Sequence, residues 1–94
     1  MKEMFKVVEN VGYEVHVRSI LGSTTEQSDY LDGIAEQLNG SWVDDANDCQ
    51  SYDFKNVMDA FDFQYSVRSI GSYGAIVEML KFNNDGSVKR VKIS

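Results

Sequence analysis

Residues 23–62 read STTEQSDYLDGIAEQLNGSWVDDANDCQSYDFKNVMDAFD, and we interpret them as two amphipathic helices joined by an acidic loop. This stretch contains ten acidic residues and one basic residue, Lys55, so the net charge of the stretch is −9. The residues before it are neutral overall, and those after it carry a net charge of +3. The acidic middle is therefore the strongest functional lead in the sequence.

The first helix is predicted over residues 23–38. Ser23 and Glu26 have the spacing of a capping box at its start, and Asn39-Gly40 favours a stop at its end. At 100° per residue the helix has one apolar stripe and one acidic side. The apolar stripe is Tyr30, Leu31, Ile34, Ala35 and Leu38, and the acidic side is Glu26, Asp29, Asp32 and Glu36.

Residues 41–50 are predicted to be a connection between the helices. Trp42 and Val43 are expected on the core, and the acids of this loop, Asp44, Asp45 and Asp48, in water. A second helix is expected to begin at a cap formed by Ser51 or Asp53 and to run to about Asp62. Its apolar arc is Phe54, Val57, Met58 and Phe61.

Alternating apolar and polar residues predict strands on both sides of this stretch. Asn10 to Gly12 is expected to turn the chain between the first two strands, and Asn84-Asp85-Gly86 is a strong hairpin signal before the last. The last strand is basic, which suits a sheet edge. The predicted strands are residues 4–8, 13–20, 63–68, 75–82 and 88–93.

These elements predict an α+β fold with the order ββααβββ. We expect a five-stranded, mainly antiparallel sheet with both helices on one face. The fourth strand, residues 75–82, is expected in the middle because it is apolar on both faces. The sequence VRSI occurs at residues 17–20 and again at 67–70, through either a duplicated strand unit or a chance resemblance. With no proline and no visible linker, residues 1–94 are expected to form a single domain.

Composition limits the classes of function. A chain with 43% hydrophobic and 12% aromatic residues can form a core, unlike a disordered acidic tail. Cys49 is the only cysteine, which fits a reducing compartment, and we expect its thiol to be buried. Neither a membrane span nor a signal peptide is evident, so we expect a cytoplasmic protein. A pI near 4.5 argues against nucleic acid or an anionic membrane as a direct partner.

The sequence gives little support to catalysis. His16, the only histidine, falls on the polar side of its strand, where we expect a solvated residue. Neither a phosphate-binding glycine loop nor the ligand spacing of a calcium loop occurs. We therefore predict a protein that is not an enzyme and that uses no metal or cofactor.

The acidic surface suggests a binding function. Like charges three and four residues apart weaken a helix, and no lysine or arginine relieves them on the first one. A basic groove on a partner protein would supply the missing positive charge. The predicted binding residues are Glu26, Asp29, Asp32, Glu36, Asp44, Asp45 and Asp48.

In size, charge and lack of catalytic motifs, the chain is similar in general character to small phage-borne proteins that imitate DNA, such as anti-restriction and anti-CRISPR inhibitors. No motif carries this similarity. It implies an inhibitor whose partner is a basic, nucleic-acid-binding protein. There are two alternatives. The acidic residues could serve only to keep the protein soluble, or the protein could be a small structural or assembly module that self-associates through its sheet edge. The sequence leaves the oligomeric state open.

Overall fold

A computed structural model of the protein describes residues 10–19, 28–46 and 49–94. In these ranges five strands form one sheet with the order β2-β3-β1-β4-β5, and each neighbouring pair is antiparallel. The predicted α+β class, with a five-stranded antiparallel sheet and two helices, is confirmed. The elements are β1 (Val11–Ser19), α1 (Ser28–Gln37), β2 (Ser41–Ala46), β3 (Cys49–Phe54), α2 (Val57–Ile70), β4 (Tyr73–Phe82) and β5 (Val88–Lys92).

The observed order matches the predicted ββααβββ only roughly, because β2 and β3 form a hairpin between the two helices. Residues 41–50 were predicted as a connection, and this prediction is wrong. Acidic residues have low strand propensity, which hides β2 in the sequence. As an edge strand with an irregular register between Trp42 and Asp44, it tolerates them.

The second helix differs most from its prediction. It begins at Val57, where the side chain of Asn56 accepts a 2.8 Å hydrogen bond from the backbone N–H of Met58, so neither Ser51 nor Asp53 is the cap. It continues through residues 63–68, which were predicted as a strand. Its buried residues have helical rather than alternating spacing; they are Ala60, Phe63, Gln64 and Val67.

The core lies between both helices and one face of the sheet. Val15 and Val17 of β1 are buried there with Leu31 of α1. The ring of Phe63 packs between those of Tyr52 and Phe54, with centroids 4.9 and 5.2 Å away. Each Å² of apolar surface that this packing removes from water contributes about 25 cal/mol to the stability of the fold.

The strand at the centre of the sheet is β1, so the prediction that residues 75–82 would be central is wrong. β4 is an interior strand, flanked by β1 and β5. The predicted hairpin before β5 is confirmed: Asp85 accepts hydrogen bonds from Ser87, and Gly86 has a positive φ of 92°. β5 is an edge strand, as its basic residues predicted.

In the first part of the chain, Val11 and Gly12 belong to β1, so the turn predicted at residues 10–12 is wrong. Asn39, with a positive φ of 65°, follows the end of α1, as predicted.

Three side chains predicted on the core are exposed. Tyr30 is 58% exposed and does not join the apolar stripe, and Trp42 and Val43 are exposed rather than packed on the core. The predicted strand at residues 4–8 and the capping box at Ser23 lie outside the described residues.

Within the described ranges, no helix combines the length and the apolar character needed to cross a membrane.

Candidate functional site

The helices carry an acidic surface, although not with all the residues predicted for it. Asp29 and Glu36 of α1 are exposed, and α2 adds Asp62, which is exposed, and Asp59, which is half-buried. We call these four residues the acidic helical surface. Within the two helices the only basic residue is Arg68, whose guanidinium donates a 2.8 Å hydrogen bond to the carbonyl of Ala75.

The remaining predicted binding residues have other positions in the fold or lie outside the described residues. Asp32 is half-buried and accepts a 2.7 Å hydrogen bond from the hydroxyl of Tyr52, so it belongs to the contact between α1 and β3. Asp44 and Asp45 lie on the edge strand β2. Glu26 and Asp48 lie outside the described residues.

Exposed aromatic and thioether side chains lie on the same helices. Tyr65 is 74% exposed, Met58 61% and Tyr30 58%. Tyrosine and methionine are enriched in protein–protein interfaces, where they supply contact area. The helical layer therefore combines carboxylates with groups that can anchor a protein partner.

Several basic residues lie on the last two strands of the sheet, β4 and β5. Lys81 is the second-last residue of β4, and β5 carries Lys89, Arg90 and Lys92 within five residues. β5 forms one edge of the sheet, whereas α1 packs near the opposite edge, against β2. The basic strand β5 and the acidic helix α1 therefore lie toward opposite edges of the sheet, whereas α2 packs mainly on β4, next to β5.

A second polar group lies on the sheet face opposite the helices. Alternation along β1 directs Glu14 and His16 away from the core that holds Val15 and Val17. In register, Glu14 lies opposite Asp53 of β3 on one side and Glu78 of β4 on the other. We call the polar residues that meet here the Glu14 cluster; its members are Glu14, His16, Ser51, Asp53, Glu78 and Arg90.

Short contacts join these side chains. The imidazole Nε2 of His16 lies 2.8 Å from Oε1 of Glu78 and 3.5 Å from Oε1 of Glu14. Its Nδ1 lies 2.8 Å from the hydroxyl of Ser51, which fixes the plane of the ring. One guanidinium nitrogen of Arg90 donates to Oε1 of Glu14 at 2.8 Å and to Oε1 of Glu78 at 3.0 Å.

The cluster shifts the pKa of two of its carboxyl groups, those of Asp53 and Glu78. Partial desolvation and the negative charge of Glu14 raise the pKa of Asp53 to about 6, although Arg90 and His16 oppose the rise. A hydrogen bond between the Asp53 and Glu14 carboxyl groups acts in the same direction. Burial also tends to raise the pKa of Glu78, but hydrogen bonds from His16 and Arg90 outweigh it and hold that pKa below its ordinary value.

Sequence reasoning missed this cluster. It placed His16 on a solvated polar face, whereas 81% of the His16 side chain is covered, and that prediction is wrong. The alternation of β1 did indicate that Glu14 and His16 share a face. What the sequence could not supply is the register that brings Glu78, 62 residues from His16, to the same point.

A cleft of about 320 Å³ adjoins the cluster and shares Asp53 with it. Its apolar wall includes Phe54, Leu80 and Phe82, and Lys55 adds a positive charge. Cys49 is half-buried on the same strand as Asp53.

This chain matches no family model, no curated protein and no solved structure.

Proposed function

We propose that this protein is a non-enzymatic inhibitor that uses its acidic helical surface to occupy a basic site on a partner protein. The partner is a nucleic-acid-binding protein or complex, and the carboxylates take the place of phosphates. This is the manner of action of DNA-mimicking inhibitors of the anti-restriction and anti-CRISPR type. We place the protein in the cytoplasm, where such partners work and where a lone cysteine stays reduced.

The observation that carries the proposal is the charge pattern of the helical layer. Four carboxylates lie on two adjacent helices whose single cation, Arg68, is already engaged by a backbone carbonyl. These carboxylates attract a positively charged groove, and the same electrostatic field speeds the encounter. Exposed Tyr30, Met58 and Tyr65 then supply the apolar contacts that a purely electrostatic complex lacks.

The first test is capture of partners from the native cytoplasm by tagged protein at low and at high salt, with mass spectrometry of what is retained. We expect basic, nucleic-acid-handling proteins that are released by salt, because screening over a Debye length of about 8–10 Å weakens such contacts. Added nucleic acid should compete with the protein for the captured partner.

A matched pair of variants separates local charge from net charge. Asp29→Asn with Glu36→Gln removes two negative charges from the acidic helical surface. Asn84→Lys with Val88→Lys changes the net charge by the same amount at the exposed β4–β5 hairpin. The first pair should reduce capture at least tenfold and the second should leave it nearly unchanged; equal capture by both pairs would refute the proposal.

One observation favours the alternative of a self-associating module. β5 is a basic edge strand, and the acidic helical surface offers a complementary charge on a second copy. This alternative predicts a mass that rises with protein concentration and falls with salt. A monomeric mass at all concentrations would exclude it.

A further inference from the structure

The Glu14 cluster lies on the other face of the sheet and has no part in the function proposed above. Three of its side chains have the chemistry of metal ligands: the carboxylates of Glu14 and Glu78 and the imidazole of His16. One ligand atom from each lies within 4.8 Å of the other two. We propose that these residues form a binding site for a divalent cation of the zinc type, and that Arg90 neutralises the site when no metal is bound.

The distances suit a small cation. Ligands that surround a tetrahedral Zn²⁺ at about 2.0–2.2 Å are roughly 3.3–3.6 Å apart. The Nε2 atom of His16 is 2.8 Å from Glu78 Oε1 and 3.5 Å from Glu14 Oε1, so small side-chain rotations suffice to place an ion between them. Three protein ligands leave a fourth position for water, as in the open zinc sites of enzymes.

The surroundings orient the ligands. Ser51 holds Nδ1 of His16 at 2.8 Å, which directs Nε2 toward the two carboxylates. A partner on the second ring nitrogen is a general feature of histidines that bind metals. The Glu14 side chain is only 10% exposed and is held by its two neighbouring strands, so it does not have to be ordered when the ion binds.

Arg90 is the cation that a metal would displace. Its guanidinium contacts the same two oxygens, Glu14 Oε1 and Glu78 Oε1, that face His16. The Arg90 side chain is 51% exposed and comes from an edge strand, so it can turn into water without disturbing the core. When Arg90 turns away, a divalent cation takes its place against the negative charge of the cluster. Lys92, opposite Glu78 in register, is exposed and can offset part of this charge.

The site favours zinc over magnesium. Imidazole nitrogen is a good ligand for Zn²⁺, Ni²⁺ and Cu²⁺, whereas Mg²⁺ prefers oxygen and keeps most of its water.

Calorimetry with the untagged protein and Zn²⁺ alone tests the proposal, with Mg²⁺ at equal concentration for comparison. We expect one equivalent of Zn²⁺ to bind and Mg²⁺ not to bind. His16→Gln should weaken binding by a factor of about 100 and Glu78→Gln by about 10 or more. Arg90→Gln should tighten it by about tenfold, because it removes the competing positive charge.

Two controls keep the result specific. Cys49→Ala removes the thiol, the other strong zinc ligand of the chain, and should leave the affinity unchanged. Because His16 is the only histidine, its ring ¹⁵N resonances report the site without ambiguity, and Nε2 should move to the range of a metal-bound nitrogen. The proposal is overturned if neither the wild-type protein nor Arg90→Gln binds Zn²⁺, if His16→Gln binds as tightly as wild type, or if Cys49→Ala abolishes binding.

Discussion

The hydroxyl of Tyr52 on β3 donates a 2.7 Å hydrogen bond to Oδ1 of Asp32 on α1. The Tyr52 ring is fully buried and lies against Phe63 of α2, so this one residue joins both helices to the sheet. Asp32 had been grouped with the acids that we expected to meet a partner. Its carboxylate instead helps to position the helix that carries Asp29 and Glu36.

Tyr52→Phe should lower the free energy of unfolding by about 1–2 kcal/mol, since a hydrogen bond to a charged, half-buried acceptor is lost while the ring remains. Urea unfolding followed by circular dichroism measures this change. Tyr65→Phe is the matched control, because that tyrosine is 74% exposed on α2 and should change stability by less than about 0.5 kcal/mol. Equal effects of the two variants would mean that the Tyr52–Asp32 bond adds nothing to stability.

Two glycines should respond to alanine in opposite directions. Gly71 ends α2 with a φ of 93°, and its N–H donates a 3.1 Å hydrogen bond to the carbonyl of Arg68. A side chain is strained in this left-handed region, so Gly71→Ala should cost about 1 kcal/mol. Gly33 lies inside α1, where an added methyl group would meet nothing within 4 Å. Gly33→Ala should therefore stabilise the protein by about 0.5–1 kcal/mol.

Thermal unfolding of the two glycine variants, measured in parallel, checks this prediction. Domains of this size shift by roughly 4–8 °C in Tm per kcal/mol. We expect Tm to fall for Gly71→Ala and to rise for Gly33→Ala. A decrease for both would show that α1 does not gain from helix propensity at position 33.

The sequence predicted those elements in which local preference and burial agree. β1 and the β4–β5 hairpin follow from alternation and from the turn at Asn84–Gly86, and the end of α1 from Asn39-Gly40. Residues 63–68 were wrongly predicted as a strand because the apolar residues Phe63, Tyr65 and Val67 alternate with polar ones. Of these three, Phe63 and Val67, four residues apart, are buried, and Tyr65 is exposed. The repeated VRSI sequence makes the same point: residues 17–19 lie in β1 and residues 67–70 in α2, so a duplicated strand unit is excluded.

The candidate sites divide in the same way. Asp29 and Glu36 could be assigned to one exposed helix face from spacing alone, because that relationship is local. The Glu14 cluster depends on β1 pairing with both β3 and β4, and the register of those pairs spans dozens of residues. Such pairings are set by packing of the whole sheet, which a single sequence does not display.

The raised pKa of Asp53 beside Glu14 gives the last prediction, which concerns pH. Asp53 has a folded-state pKa of about 6 against an ordinary value of 3.8, so the folded protein holds this proton more tightly than the unfolded chain. Its contribution to stability is fully present below about pH 3.8 and is lost as pH rises through about 6. Above that, an ionised Asp53 repels Glu14. For a buried group the shift would be worth ~3 kcal/mol, but Asp53 is exposed, and solvent screening reduces this to about 1 kcal/mol.

Asp53→Asn imitates the protonated acid, because the amide donates a hydrogen bond to Glu14 and carries no charge. This variant should be more stable than wild type by about 1 kcal/mol at pH 7.5, and the gap should shrink markedly at pH 4.5. Urea titrations at the two pH values measure the gap, with Asp62→Asn as the control for loss of one exposed carboxylate. A gap of the same size at both pH values would mean that the pKa of Asp53 is not raised in the folded protein.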